Sequence, residues 1–279
     1  MTAITQSVDL DRRGRVAVLT VNNPPVNALS QHVRQGLYEG LKQAIADAAA
    51  QAIVIVCAGR TFIAGADITE FGKPPADPSL HTVLDIIEAS PKPVVAAVHG
   101  TALGGGLEVT LACHYRVGVK DARFGLPEVK LGLIPGWGGT QRLPRITGLT
   151  QATEMVITSR GLDVREAISR EFLNAVFEAP GVLELVNEAA RLIVHPGIAS
   201  LCLEKRKNKL QPIPAEQRAA FVAPTVTTKA ETEAMRVMVQ GAALPLYEAI
   251  KLETEAFMRL AGSSESKKLI AEFFASRKK

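Results

Sequence analysis

KPVVAAVHGTALGGGLEVTLACHYRVGVKDARFGLPEVKLGLIPGWGGTQRL, residues 92–143, is the stretch on which the reading of the fold turns. An apolar, β-branched run from Val94 to Val98 stops at His99 and Gly100, and Gly104, Gly105 and Gly106 then open a new periodic segment. That order predicts a strand, a glycine turn and a helix. Glycine permits positive φ and lets a ligand approach the main chain, while the first helical turn leaves N–H groups without intrahelical acceptors. Such N–H groups can face an anion or a developing oxyanion. Glu108 stands just inside the predicted helix, and a second acid, Glu128, follows Pro127 in a loop-like segment. Two carboxylates near a set of backbone donors suggest acid–base work.

Upstream, VAVLTV at 16–21 reads as a buried strand, and Asn22, Asn23, Pro24 and Pro25 give a strong turn signal after it. Ser30 is a good N-cap for a helix to about residue 49, in which Val33, Leu37, Leu41 and Ile45 recur at i, i+4 spacing. The next buried strand is AIVIVCA at 52–58, followed by the small residues of IAGAD at 63–67, which let the main chain lie close to a ligand or simply make a tight turn. Residues 72–78 read as a loop before a helix over 80–89.

Downstream, the pattern predicts short helices over 137–146 and 151–159, and a third from Asp163 to about residue 170, where Glu166 completes a capping-box pattern. A last short strand is expected at 175–177, and then only helices, over 182–194, 201–210, 229–240, 244–260 and 264–275. Strands and helices alternate early and helices alone come late, which argues for an α/β core followed by a helical region. The expected division is a catalytic core over 1–195 and a helical region over 196–279 packing on it. The apolar stripe of Leu244, Leu246, Ile250, Phe257 and Leu260 is expected to fold back on the chain's own core.

Composition narrows the function classes. A chain of 279 residues with 47% apolar content can fill a sizeable core. The net charge of +4 is mild; the basic cluster at 205–209 would suit an anionic ligand, but solvated helix faces explain it more simply. Aromatic residues make up only 5% and no basic-plus-aromatic motif stands out, so nucleic-acid binding is not expected. Cys57, Cys113 and Cys202 lack CxxC spacing and read as reduced core residues of a cytoplasmic protein. The first 18 residues carry Asp9 and Asp11 and no apolar stretch of signal-peptide length. The long apolar run at 93–113 is interrupted by His99, Glu108 and the glycines, which argues against a membrane span. Five histidines without HxxxH spacing offer no metal site, and no GxSxG elbow offers a serine nucleophile.

Four pieces in order, IAGADI at 63–68, ALGGGLE at 102–108, FGLPE at 124–128 and IPGWGGTQRL at 134–143, resemble the crotonase (enoyl-CoA hydratase/isomerase) superfamily. The resemblance runs from about residue 16 to about residue 177 and implies an α/β fold, a spiral of β-β-α units with a C-terminal all-helical region. It implies that the Ala66 and Gly105 N–H groups form an oxyanion hole, and that Glu108 and Glu128 are the catalytic pair holding a water between them. It places Val26, Ala28, Ala64, Asp67 and Ile68 along the coenzyme A thioester, and Gly136 beside the water or acyl chain through its main chain. The implied activity is hydration of trans-2-enoyl-CoA to 3-hydroxyacyl-CoA in fatty-acid β-oxidation, with no cofactor beyond the thioester substrate. Isomerisation of 3-enoyl-CoA, alone or as a second activity, and acyl-CoA binding without turnover stay open.

The late helices, from Leu246 to Phe274, resemble the linker helix of multifunctional β-oxidation enzymes, in which a hydratase/isomerase part precedes a 3-hydroxyacyl-CoA dehydrogenase, and NNPPVNALS at 22–30 resembles the same subfamily. The partners implied are therefore either further copies of the chain, as a trimer, or a 3-hydroxyacyl-CoA dehydrogenase. Within the 279 residues no strand is followed by a GxGxxG fingerprint with an acid about 20 residues on. The purified chain, given an enoyl-CoA and NAD, is therefore expected to form 3-hydroxyacyl-CoA without NADH. Appearance of NADH absorbance would overturn that expectation.

Overall fold

The computed structural model describes residues 2–70, 72–74 and 76–276, apart from the side chains of Ile68, Leu203 and Arg206. The chain opens with a hairpin, β1 (Thr2–Thr5) and β2 (Val8–Arg13), which continues antiparallel into β3 (Val16–Val21) with Val8 opposite Val21. The sequence expectation had no strand before residue 16. Val8 and Leu10 alternate with Asp9 and Asp11, the period of a strand with one wet face, but over too short a stretch to stand out.

Then follow α1 (Gln31–Ala46), β4 (Ala52–Cys57), α2 (Leu80–Ala89), β5 (Val94–Val98), β6 (Thr101–Leu103), α3 (Gly105–Ala112), β7 (Tyr115–Val119) and β8 (Arg123–Gly125). The chain continues through α4 (Gly139–Arg142), α5 (Pro144–Thr147), α6 (Leu149–Thr158), α7 (Val164–Ser169), β9 (Ala175–Phe177) and α8 (Val182–Ile193). It closes with α9 (Pro196–Leu210), α10 (Ala215–Ala219), α11 (Lys229–Gly241), α12 (Leu246–Ala261) and α13 (Ser264–Ser276).

Seven strands form one sheet in the order β1-β2-β3-β4-β5-β7-β9, parallel from β3 onward, and β6 pairs with β8. Parallel neighbours need crossovers, which α1 supplies between β3 and β4, and α2 between β4 and β5. Strands covered on both faces read as continuous apolar runs, and every residue of β4, β5 and β7 is buried. On α1, Val33, Leu37 and Leu41 are fully buried, each side chain contributing roughly 1.5–3 kcal/mol. The architecture is the α/β class expected, with helices alone at the C-terminal end.

The chain divides into two compact units, Met1–Phe124 with Asp163–Lys207, and Gly125–Leu162 with Asn208–Lys279. This grouping differs from a division at residue 195, because 125–162 goes with the later helices. In the second unit α11 packs against α6, α4 and α12, and Leu246, Ile250 and Leu260 of α12 are buried, while Leu244 and Phe257 are half-buried. The expected single helix over 137–146 is two: Pro144 has no N–H to continue the ladder of α4 and starts α5 instead. Asp163 and Glu166 form the expected capping box at α7. Of the loop read at 72–78, Pro75 lies outside the described residues. Among the described residues no helix is long and apolar enough to cross a membrane.

Candidate active site

In the first unit, three backbone segments meet at the start of α3. Ala64 N–H donates to Val26 O at 3.1 Å and Leu29 N–H donates to Gly65 O at 3.0 Å, while Leu29 and Ala66 form a parallel bridge. On the other side, Leu103 N–H donates to Ile63 O at 3.1 Å. The IAGA segment is thereby held between residues 26–29 and β6. Gly106 explains how close the helix comes: a Cβ there would lie 2.0 Å from Ile63 O, which excludes any side chain. Gly104 supplies the entry to the helix with φ 52° and ψ −126°, a conformation that favours glycine.

The two proposed donors are neighbours in this arrangement, since Ala66 N lies 3.8 Å from the position a Cβ on Gly105 would take. Gly105 is the first residue of α3, so its N–H has no intrahelical acceptor, and the positive end of the helix dipole lies on the same side. The other end of α3 is matched by a cation. Arg116 is buried and donates from Nη1 to Cys113 O, the C-cap carbonyl, at 2.9 Å, and from Nε to Phe172 O at 2.7 Å. Burial lowers its pKa to about 10, which leaves it charged at neutral pH. A cation at the C-terminus favours this helix, and an anion at its N-terminus would favour it in the same way.

Glu108 lies on α3 and its residue is fully buried, like the rest of the helix. An acid placed among Leu107, Val109 and Leu111 is a costly arrangement for packing alone.

The residues expected along the thioester divide into exposed and structural positions. Val26 is 40% exposed, and Ala28 and Ala64 are half-buried. Asp67 accepts from Thr69 N–H at 2.9 Å and so caps the short turn Ile68–Glu70. The Ile68 side chain lies outside what is described. Two further residues hold this region and were not singled out from the sequence. Asn27, buried with φ 53°, donates from Nδ2 to both Ala58 O and Thr61 O at 2.9 Å. Arg34 donates to Leu29 O at 2.9 Å and pairs with Glu70 at 2.7 Å. An asparagine two residues after a Pro-Pro pair is an ordinary turn signal, and an arginine on a helix is ordinarily solvated, so neither carries a distinguishing mark.

In the second unit, Glu128 opens a single 3-10 turn, Glu128–Leu131, that ends at Gly132 in the left-handed region with φ 65°. Glu128 is half-buried, and its carbonyl accepts from Leu133 N–H at 3.1 Å. Gly136 follows, packed so closely that a Cβ would meet the Phe257 ring of α12 at 2.6 Å. Glu253, on the same helix as Phe257, accepts from Gly138 and Thr140 N–H groups. The signal for Glu253 was present: it falls on the apolar stripe of α12, three residues after Ile250. Thus Ala66, Gly105 and Glu108 are brought together in the first unit, and Glu128 and Gly136 belong to the second. Among the described residues no three His, Cys, Asp or Glu side chains are grouped as metal ligands.

Comparison with known proteins places the chain in a family. The family model described as enoyl-CoA hydratase/isomerase matches residues 11–220. A peroxisomal bifunctional enzyme of Danio rerio is 38% identical over 270 residues, covering 94% of this chain and 37% of that protein. The chain thus spans little more than a third of the length of that relative. A probable enoyl-CoA hydratase of Bacillus subtilis is 46% identical over 175 residues, covering 60% of this chain and 66% of that protein. The solved structure of an enoyl-CoA hydratase/isomerase from Pseudoalteromonas atlantica superimposes with a TM-score of 0.73 at 26% identity, covering 97% of this chain and 98% of that one. With a family match over most of its length, a shared fold and the glycine turn and buried acid in place, this chain belongs to the enoyl-CoA hydratase/isomerase family.

Proposed function

We propose that the chain adds water across the 2,3 double bond of a trans-2-enoyl-CoA thioester to give 3-hydroxyacyl-CoA. The observation that carries this reading is the placement of Ala66 N beside Gly105 at the start of α3, with the buried Glu108 one turn further on. The thioester oxygen accepts from the two N–H groups. As the water oxygen bonds to C3, one carboxylate takes its proton and the π electrons move onto the thioester oxygen to form an enolate; that oxygen pair then rebuilds the C=O while the C1=C2 pair takes a proton at C2 from the other carboxyl group. The pair ends with one proton between them, as it began. In this reading Glu108 orients or activates the water and Glu128 protonates C2. Donors of this type supply about 10²- to 10³-fold in rate, and positioned acid–base groups about 10²- to 10⁴-fold.

Coenzyme A arrives on the substrate, along Val26, Ala28, Ala64, Asp67 and Ile68, and no further cofactor is part of the proposal. Gly136 contributes its main chain to the water or acyl chain. A 3-hydroxyacyl thioester is what a dehydrogenase of fatty-acid β-oxidation consumes, which makes such an enzyme the proposed partner if the chain does not form a trimer instead. The three cysteines are buried thiols, and that supports a reducing compartment, here the cytoplasm.

A second reading, isomerisation of 3-enoyl-CoA, is favoured by the family description, which carries both activities, and by the buried Glu108 on the same helix as Gly105, since an isomerase needs only one well-placed acid. Turnover of a panel of 2-enoyl- and 3-enoyl-CoA thioesters separates the readings. Hydration of the 2-enoyl substrates supports the proposal; conversion of 3-enoyl substrates alone makes the chain an isomerase, and binding without turnover makes it an acyl-CoA carrier.

A further inference from the structure

Glu253 is an acid in an unusual place, wholly buried on the apolar stripe of α12. Desolvating a carboxylate is costly unless its lone pairs are filled, and here one short turn fills them. Gly138 N–H donates to Glu253 Oε1 at 2.5 Å, and Thr140 donates to Oε2 from its N–H at 2.9 Å and from its hydroxyl at 2.5 Å. Because the Thr140 hydroxyl spends its proton on Glu253, it can only accept elsewhere, and Gln141 Nε2 donates to it at 2.8 Å while also donating to Val237 O at 3.1 Å. Arg142 secures the preceding carbonyl, donating from Nη1 to Trp137 O at 2.8 Å. One helical turn beyond Glu253, the Phe257 ring rests against Gly136. α12 therefore grips residues 136–140 at two points, by a ring at Gly136 and by a carboxylate at Gly138 and Thr140.

We propose that Glu253 is a positioning residue for the reaction, fixing through the Gly138–Thr140 turn the main chain of Gly136. This rests on the hydratase reading above for what Gly136 does, but not for the grip itself. All the residues concerned belong to the second unit, together with Glu128. A purely packing role at this position would be served by an apolar side chain; only an anion satisfies three donors of one turn at once.

The test is Glu253→Gln, which keeps the shape but offers a single acceptor oxygen and sets an NH₂ against N–H donors. Amide hydrogen exchange over 136–141 is expected to speed up while the rest of the protein keeps its protection. With crotonyl-CoA, kcat is expected to fall about 10- to 100-fold, the scale of a misplaced reacting group, with KM held within about threefold. Thr140→Val, which removes only the hydroxyl, is expected to change both readouts in the same direction, and Thr140→Ser, which keeps it, to lose less than Thr140→Val. In a Glu128→Gln background the Glu253→Gln change is expected to cost less than about threefold more, because placing the water no longer limits the rate. Parent-like exchange and kcat in Glu253→Gln, or a full independent loss on top of Glu128→Gln, would overturn the proposal. If the parent chain turns over no enoyl-CoA while exchange still quickens only at 136–141, the hydratase reading falls and the grip stands. Should Glu253→Gln fail to fold, parent-like exchange and kcat in Thr140→Val would overturn the proposal, and their change would support it.

Discussion

Glu108→Gln and Glu128→Gln are each expected to lower hydration of crotonyl-CoA by about 10²- to 10⁴-fold, with the fold and the affinity for coenzyme A nearly unchanged. Glutamine keeps the length and shape of glutamate and loses only the capacity to take and give a proton. At Glu108 the change also replaces a buried acid by a neutral amide on a helix that is buried throughout, so the protein is not expected to lose stability. Steady-state kinetics on each variant, with circular dichroism to verify folding, decide the matter. If either variant hydrates crotonyl-CoA near the parent rate, the role assigned to that residue is wrong.

The second large effect is expected at the glycine turn, where adjacent glycines do different work. In Gly106→Ala the new methyl meets the carbonyl oxygen of Ile63 at 2.0 Å, a backbone atom that can yield only if the start of α3 moves. Overpacking of this kind costs about 1–3 kcal/mol of stability. Displacing Gly105 from Ala66 also spoils the pair of donors, for a further loss of about 10²- to 10³-fold in kcat. Gly105→Ala should behave otherwise. Its nearest neighbours are the ends of flexible side chains, Leu29 Cδ1 at 3.0 Å and Leu80 Cδ2 at 3.3 Å, which can shift. Its methyl, however, stands 3.8 Å from Ala66 N, beside the position proposed for the thioester oxygen, so activity is expected to fall with little change in thermal midpoint. Equal midpoints for the two variants, or full activity in Gly106→Ala, would contradict this division of labour.

Sequence alone made β3, β4 and β5 legible because each is a continuous apolar run, the mark of a strand covered on both faces. It did not reveal β7, YRVGV, because Arg116 and Gly118 interrupt the apolar run of a strand whose residues are all buried. Only tertiary structure shows that this arginine serves the Cys113 carbonyl at the end of α3. The glycine turn and Glu108 could be read from spacing, but not which glycine faces the Ile63 carbonyl, since that depends on a contact 43 residues away in the chain. Glu253 was readable in principle as a charge on an apolar stripe. Its meaning was not, because the donors it serves lie 113 and 115 residues earlier.

The central claim, that this chain hydrates an enoyl thioester through enolate chemistry, is tested most directly by isotope placement. Crotonyl-CoA incubated with the purified chain in D₂O enriched in ¹⁸O should give 3-hydroxybutyryl-CoA carrying ¹⁸O on C3 and one deuterium on C2, with the thioester intact. Unlabelled crotonyl-CoA recovered unchanged, or ¹⁸O found instead in a free carboxylate released from coenzyme A, would contradict it.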